Sequence, residues 1–462
     1  MSDLPTSLAA LIGPDRVSTT PADLATHSTD KWFASSPPAV VVSPNNTAEV
    51  AEVLRYANAH QIPVTPQGAR VGYVGGAVPL HGGIALNLMR LNQILELNTA
   101  DGVAVVQPGV ITATLQAAAR EKGWFYPPDP ASLKECSLGG NVATNAGGPR
   151  CLKYGVTRHY VLGLEAVLAS GDVLRAGGRC HKNKTGFDLV GLMVGSEGML
   201  GLVTEATLRL IPHPPQRAML SAGFASFPAA AHAVQVILDS GFLPSALEIA
   251  DPFTLRAARD YLGESVTPKG EAHLLVELDG QPESVALEIR RVADLLTRLG
   301  TICLEEAIGD EACERFWKLR REFSYSLRNT GLIKLNEDVV VPRSRLIDLV
   351  AFAAELQEQI GFPVACFGHA GDGNIHVNIM VPTMEDPAIR ERAEVALDKL
   401  FLQVIAWKGA ITGEHGVGIA KHRWWRHAIP DVAHQTHLAL KKALDPNNIL
   451  NPGKFLDSEV HR

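Results

Sequence analysis

The sequence predicts an α+β protein built in two unlike halves, and two features carry that prediction. Residues 38–211 alternate short apolar runs with four glycine-rich segments, and the chain then meets PHPP (212–215), its clearest boundary. Beyond that boundary the texture changes to strand and helix patterns in regular alternation.

Taken in order, residues 1–35 read as a short helix and a linker, and AVVVS (39–43) as a strand. Asn46 and Thr47 cap a helix running to about His60, because Val50, Val53, Leu54 and Ala57 keep a three-to-four spacing. PVT (63–65), IALNL (84–88) and VAVVQ (103–107) read as strands, with a helix from Thr112 to Lys122. The apolar run YVLGLEAVLAS (160–170) and the strand LVTEATLRLI (202–211) complete the first half. After PHPP, strands at 219–226, 244–249, 273–278 and 301–305 alternate with helices at 229–240, 252–262 and 283–299. These strand–helix–strand units resemble a ferredoxin-like α+β domain. Longer helices follow at about 310–328, 343–360, 385–408 and 431–444. The expected domains are 1–213 with its core from about 36, then 214–442, then 443–462 as a return to the first.

Composition excludes several classes of function. The 462 residues are 46 % hydrophobic and 20 % charged, enough for a sizeable core and too apolar for a disordered chain. A net charge of −7 argues against a nucleic-acid footprint. No apolar run approaches the roughly 18 residues of a membrane span, so no transmembrane segment is expected. The start MSDLPTSLAALIG has no basic stretch, so no secretory signal is expected either. Six cysteines without a CxxC spacing exclude a zinc ribbon, a thioredoxin motif and a ferredoxin-type cluster, and suit reduced thiols in a cytoplasm.

The glycine-rich segments are Gly68–Gly76, PPDPAS (127–132) leading into LGGNVATNAGG (138–148), KTGFDL (184–189) and GSEGMLG (195–201). Glycine lets a backbone approach a ligand closely, and successive N–H groups can cradle an anion. Neither G-x-x-x-x-G-K-[ST] nor G-x-G-x-x-G occurs, so a P-loop and a Rossmann site are unsupported and a diphosphate needs another cradle.

The second half carries two chemical segments. FGHAGDGNIHVNIM (367–380) reads as a hairpin, with Gly371-Asp372-Gly373-Asn374 as its turn, His369 and His376 flanking it, and Asn378 on the same face as His376. ITGEHGVGIAKH (411–422) adds Glu414 and His415 in a glycine-flanked loop. Two histidines and a glutamate would leave metal positions open for substrate, as catalytic sites do, although spacing alone leaves open whether Glu414 meets the histidines. WKLRREFSYSLRNTGLIKLNEDVVVP (317–342) is rich in cations and reads either as a solvated helix face or as an anion site.

PPDPASLKECSLGGNVATNAGGPRCLKYGVTRHYVLGLEAVL, with GSEGMLGLVTEATLRL and the closing DPNNILNPGKF, resembles the FAD-binding domain of the vanillyl-alcohol oxidase / p-cresol methylhydroxylase (PCMH) superfamily. Within it, the chain is similar to the FAD-linked D-2-hydroxy-acid dehydrogenases, which include D-lactate, D-2-hydroxyglutarate and glycolate (GlcD-type) enzymes. The fold this implies is a two-part PCMH-type FAD-binding domain followed by a ferredoxin-like substrate (cap) domain.

The resemblance implies FAD contacts from Gly68, Ala69, Arg70, Val71 and Gly72, from Pro128, Asp129 and Ser132, and from Gly139, Gly140, Thr144, Asn145, Gly147 and Gly148. Glu197, Gly198, Val203 and Asn451 complete that set. The family reads R-G-x-G-T-G where this chain has Gln67-Gly68-Ala69-Arg70-Val71-Gly72, so a glycine and a threonine are replaced, and Arg70 is expected to bring charge to the diphosphate. With no histidine in that loop, and His81 read as an exposed turn residue, FAD is expected to be non-covalent. His369, His376 and Glu414 match the family's metal ligands, for zinc or else manganese, and His415 its catalytic base. Arg320, with Arg321 as its rival, matches the arginine that grips the substrate carboxylate; Ser324, Lys334 and Asn378 match further substrate contacts.

The activity implied is oxidation of a 2-hydroxy acid to the 2-oxo acid. The metal would chelate the acid, His415 would take the hydroxyl proton, and hydride would pass to the flavin N5. Electrons would go to an external acceptor: electron-transfer flavoprotein, a quinone, a cytochrome or an iron–sulfur subunit. A homodimer is compatible with this, and so is a cytoplasmic place peripheral to the inner membrane. The competing expectations are a non-redox transferase like the alkyl-dihydroxyacetonephosphate synthases, and an FAD subunit active only within a multi-protein glycolate oxidase.

Overall fold

A computed structural model describes residues 3–456 as two compact units. The first takes residues up to 147, then 156–213, then 414 onward; the second takes Gly148–Gly155 and Pro214–Gly413. The boundary at PHPP falls at 213/214, but the return begins at 414 rather than 443, and the short segment 148–155 joins the second unit. Residues 1–2 and 457–462, which the expected domains included, lie outside the described residues.

The first unit opens with β1 (Val17–Ser18), β2 (Val40–Val42), β3 (Val64–Gln67) and β4 (Ile84–Asn87), ordered β1-β2-β4-β3. The β2, β4 and β3 strands run parallel and are buried almost throughout, as parallel strands are. Asn46 caps the helix Thr47–Ala59 through Glu49 N, and that helix lays Val50, Val53, Leu54 and Ala57 on the sheet. Each such side chain, fully buried, contributes roughly 1.5–3 kcal/mol for a valine or leucine. Five further strands, β5 (Ile94–Asn98), β6 (Val103–Val106), β8 (Val161–Val167), β9 (Val173–Gly177) and β10 (Leu202–Arg209), form an antiparallel sheet ordered β5-β6-β10-β8-β9. β7 (Trp124–Phe125) pairs with β11 (Ile211–Pro212). The C-terminal return re-enters beside β3: Val64 N donates to Ile449 O at 2.7 Å and Asn451 N to Val64 O at 2.8 Å.

The second unit is one seven-stranded sheet. Its strands are β12 (Gln216–Phe224), β13 (Ala246–Ala250), β14 (Ala272–Gly280), β15 (Cys303–Ile308), β16 (Ile333–Val340), β17 (Val364–His369) and β18 (Asn374–Val381). The order β15-β12-β14-β13-β17-β18-β16 places the ferredoxin-like four strands first and extends them past β13 with the later hairpin. Turn chemistry sets that hairpin. Gly373 sits at φ +85°, and a Cβ there would come within 2.1 Å of Val341 O.

Candidate functional site

The helix Asp310–Asn329 covers one face of the seven-stranded sheet with Cys313, Trp317, Arg320, Phe323 and Leu327, spaced by three or four residues. Arg320 is therefore an inward residue, its side chain 11 % exposed, whereas Arg321 turns outward and pairs with exposed Glu314. Helical phase thus sets Arg320 against the sheet and Arg321 at the surface.

On the same face, strand alternation aligns Glu248 and Ala250 of β13, Phe367 and His369 of β17, and His376, Asn378 and Met380 of β18. His369 pairs with Asn374 and Phe367 with His376, so the two histidines are diagonal neighbours with ring centroids 5.7 Å apart. Across from His376 lies Asp338 of β16, whose carboxylate accepts from Gly413 N at 2.7 Å and from Thr412 Oγ1 at 3.2 Å. That anchors the end of this unit, and Glu414 is the next residue in the chain. One ligand atom from each of His369, His376 and Glu414 lies within 4.8 Å of the others. Imidazole and carboxylate donors in that number suit zinc or manganese.

Glu248, which the sequence reading missed, is 1 % exposed. Its Oε1 accepts from His369 Nδ1 and its Oε2 from Arg320 Nε, each at 2.5 Å. Burial alone would raise this carboxyl, but Arg320 and His369 together hold it below its ordinary range. An ionised acceptor makes His369 Nδ1 the donor and puts the ring's lone pair on Nε2, the nitrogen that could ligate a metal. The signal was available as an acid inside an apolar strand, ALEIA.

Arg320 stands 4.9 Å over the Phe367 ring, and its Nη groups have no hydrogen-bond partner among the described residues. Lys334 Nζ donates to Ser324 Oγ at 2.7 Å; burial, then the nearby charge of Arg328, push its ammonium down to about 7. Asn378 is wholly buried, donating to Ala365 O and His376 O while its Oδ1 has no partner among the described residues. The structure therefore brings Arg320, His369, His376 and Asn378 onto one face, with Ser324 and Lys334 paired where the helix meets β16.

The four glycine segments lie in the first unit, all but Gly148, and three of them pack against one another. A Cβ on Gly68 would come within 2.4 Å of Ser137 Oγ, which caps the helix Leu138–Thr144. That helix runs through Gly139 and Gly140, where the sequence reading saw only loop, and ends at Thr144 and Asn145, the latter left-handed at φ +52°. Gly147 ends the first unit's share of the segment and Gly148 opens the second unit's. Pro128 O accepts from Gln116 at 2.9 Å, Asp129 is buried, and Ser132 O accepts from Cys136 N at 2.8 Å. Gly198 packs against Pro66, and Val203 lies in β10 opposite Ala166. Ala69 and Val71 flank Arg70 in the first loop, and Gly72 O accepts from Lys31 N at 3.0 Å. KTGFDL stays exposed, with Phe187 94 % accessible.

Glu197 is buried, and its carboxylate accepts from Val417 N at 2.7 Å and Gly418 N at 2.9 Å, fixing the loop that carries His415. Burial raises the Glu197 carboxyl above its usual range. The Glu197 backbone is engaged as well, its N donating to Ala143 O at 2.8 Å, so this residue braces the cradle and leaves cofactor contact to its neighbours. Asn451 donates to Gly76 O and Glu197 O, while its buried Oδ1 has no partner among the described residues. The His415 ring lies 5.4 Å from that of Tyr73. Close-packed glycines and a half-buried Arg70 fit the diphosphate of a bound cofactor, while the orphaned Asn451 oxygen, an acceptor, suits a hydroxyl or N–H donor elsewhere on such a cofactor.

Comparison with known proteins gives this geometry a family. Residues 38–177 match the FAD binding domain family and residues 213–455 the family of FAD linked oxidases, C-terminal domain. The glycolate oxidase subunit GlcD of Bacillus subtilis is 37 % identical over 100 % of this chain and 98 % of its own. A D-lactate dehydrogenase of Anaerostipes hadrus is 34 % identical over 93 % and 92 %, and a D-2-hydroxyglutarate dehydrogenase of Stutzerimonas stutzeri 33 % identical over 97 % and 97 %. Among solved structures, p-cresol methylhydroxylase with substrate bound superposes with a TM-score of 0.79 at 20 % identity, covering 98 % of this chain and 96 % of that one, a likeness of fold alone. The chain belongs to the FAD linked oxidases. It is an oxidoreductase with an FAD binding domain, and no helix among its described residues is long and apolar enough to cross a membrane.

Proposed function

We propose that this chain oxidises a D-2-hydroxy acid of the lactate, 2-hydroxyglutarate or glycolate class to the 2-oxo acid, with non-covalent FAD and a divalent cation. The observation that carries the reading is Arg320: a buried guanidinium with open Nη groups, tied through Glu248 to His369 of a three-ligand metal group. A planar fork suits a carboxylate, and an α-hydroxyl beside that carboxylate suits a metal.

In this reading Gly68, Ala69, Arg70, Val71, Gly72, the 139–148 segment and Asn451 hold FAD, and His369, His376 and Glu414 hold zinc or manganese. Bound FAD supplies the acceptor for the hydride that leaves Cα, and a bound cation supplies the charge that eases loss of the hydroxyl proton. The rest falls to side chains. Arg320 binds the carboxylate, Lys334 and Ser324 meet the remainder of the acid, and Asn378 Oδ1 is an acceptor on the same strand face as His376. His415 takes the hydroxyl proton. The names of full-length relatives support this over a non-redox transferase, since the alkyldihydroxyacetonephosphate synthase likeness, at 19 % identity and a TM-score of 0.74, is one of fold. The name glycolate oxidase subunit, borne by one of those relatives, favours a second reading in which the chain acts within a larger assembly.

The test is an anaerobic spectrum of the flavin-loaded protein mixed with D- and L-lactate, glycolate, D-malate and D-2-hydroxyglutarate. At least one D-acid or glycolate should bleach the flavin band within seconds while L-lactate leaves it. A flavin untouched by the whole panel overturns the reading.

A further inference from the structure

Glu248 sits in the middle of a strand whose other members are apolar, and a lone acid there would be costly. Both oxygens are engaged, one by His369 Nδ1 and one by Arg320 Nε. The two partners arrive from different elements, β17 and the helix Asp310–Asn329, and Glu248 is the group they share. Under the function proposed above, on which this inference rests, they also serve different ligands: His369 the cation, Arg320 the acid.

The neighbouring strand holds an internal comparison. Glu277 of β14 is as deeply buried and takes Arg150 at 2.7 and 2.9 Å, Trp317 Nε1 at 2.6 Å and Ser245 Oγ at 3.0 Å. The same helix thus hands Trp317 to Glu277 and, one turn on, Arg320 to Glu248. Glu277 is closed by structural partners, whereas both partners of Glu248 belong to the site. With Nε spent on Glu248, the Arg320 guanidinium can turn only its Nη edge outward, and Phe367 beneath it fixes the plane. The carboxylate also lies between a guanidinium and a metal ligand, where its negative charge offsets the repulsion that a bound dication would otherwise feel from Arg320.

We propose that Glu248 is a positioning residue that couples the two halves of substrate binding, fixing the ligating nitrogen of His369 and the aim of Arg320 with one carboxylate. Metal affinity and acid affinity should then fall together when it is neutralised.

The experiment titrates zinc, against a chromophoric chelator, into flavin-loaded protein stripped of metal. Glu248→Gln keeps the shape and removes the charge; its zinc Kd should rise ~10–100-fold, the usual scale for losing an outer-shell partner. The acid found by the bleaching panel should bind the zinc-saturated variant at least ~10-fold more weakly. Glu277→Gln should lower the melting temperature yet leave the zinc Kd within about two-fold of the parent. A Glu248→Gln protein that folds and binds zinc like the parent overturns the coupling. Should that variant fail to fold, Arg320→Gln decides. Freeing Glu248 of its neutralising partner should tighten zinc at least ~3-fold in the absence of acid, and an unchanged Kd overturns the proposal. A parent protein that takes up no zinc refutes the metal assignment itself, and the coupling falls with it.

Discussion

Arg70 is held at φ +55° in the first glycine loop, a left-handed conformation that costs a side-chain-bearing residue about 1–2 kcal/mol. The chain keeps the turn and tolerates the strain. Its guanidinium is half-buried with Nη1 3.2 Å from His27 Nδ1, and no carboxylate pairs with it among the described residues. Burial pushes the His27 imidazole down, and the adjacent Arg70 charge pushes the same way, so the pair does not become two cations. A desolvated cation without a counter-ion is stabilised by an anionic ligand. Charge-assisted hydrogen bonds are worth about 1.5–3 kcal/mol, so Arg70→Ala should weaken FAD binding ~10–100-fold, read as the flavin-to-protein ratio after gel filtration. Arg70→Gly should do the same while raising the melting temperature of the flavin-free protein, because glycine accepts the positive φ. Parent-like flavin retention in both variants would remove Arg70 from the cofactor site.

At the scale of elements, the helix Asp310–Asn329 shows what sequence pattern can and cannot settle. Its extent follows from three-to-four periodicity, but its many cations read equally as a solvated face or a binding face. The sheet beneath decides, sorting Arg320 inward and Arg321 outward. Phe323, wholly buried between His273 and Phe367, should cost about 3–5 kcal/mol on truncation to Ala, whereas Arg321→Ala should change stability by less than ~0.5 kcal/mol in denaturant melts. Equal effects would mean that the helix is not packed in this phase. Most strands and helices were legible within a few residues of their ends, because apolar spacing reports local burial directly. β5, β9 and β16 were not: each mixes polar and apolar residues and lies at the edge of its sheet, with a single partner strand and only partial burial to imprint a pattern. The helix Leu138–Thr144 was hidden by its two glycines, which serve close packing against Pro108 and Ser137 and not a turn. In the site, His369 and His376 were legible from the hairpin they flank, while Glu248 and Asp338 were not, since only a sheet brings residues so distant in sequence beside them.

For the molecule as a whole, the division of labour between units makes cofactor and metal separable. The glycine cradle, Arg70 and Asn451 all belong to the first unit; His369 and His376 belong to the second, on a sheet with its own core, and Glu414 is the residue at which the chain passes from the second unit back to the first. Core packing in the second unit does not depend on a metal, because Phe323, Phe367, Leu319 and Leu327 close it, and Glu248 already gives His369 a partner. Stripping the metal should therefore leave both the fold and the flavin in place. Prolonged treatment with a chelator, followed by its removal, should give protein with a parent-like flavin absorbance and melting curve that a 2-hydroxy acid no longer bleaches under anaerobic conditions. Adding zinc or manganese should restore bleaching, whereas magnesium, which favours all-oxygen octahedral sites over a histidine pair, should restore little. Loss of flavin along with the metal would contradict the separation of the two sites. Full bleaching by protein shown to be metal-free would remove the cation from the reaction and leave Arg320, Lys334 and His415 to bind and activate the acid alone.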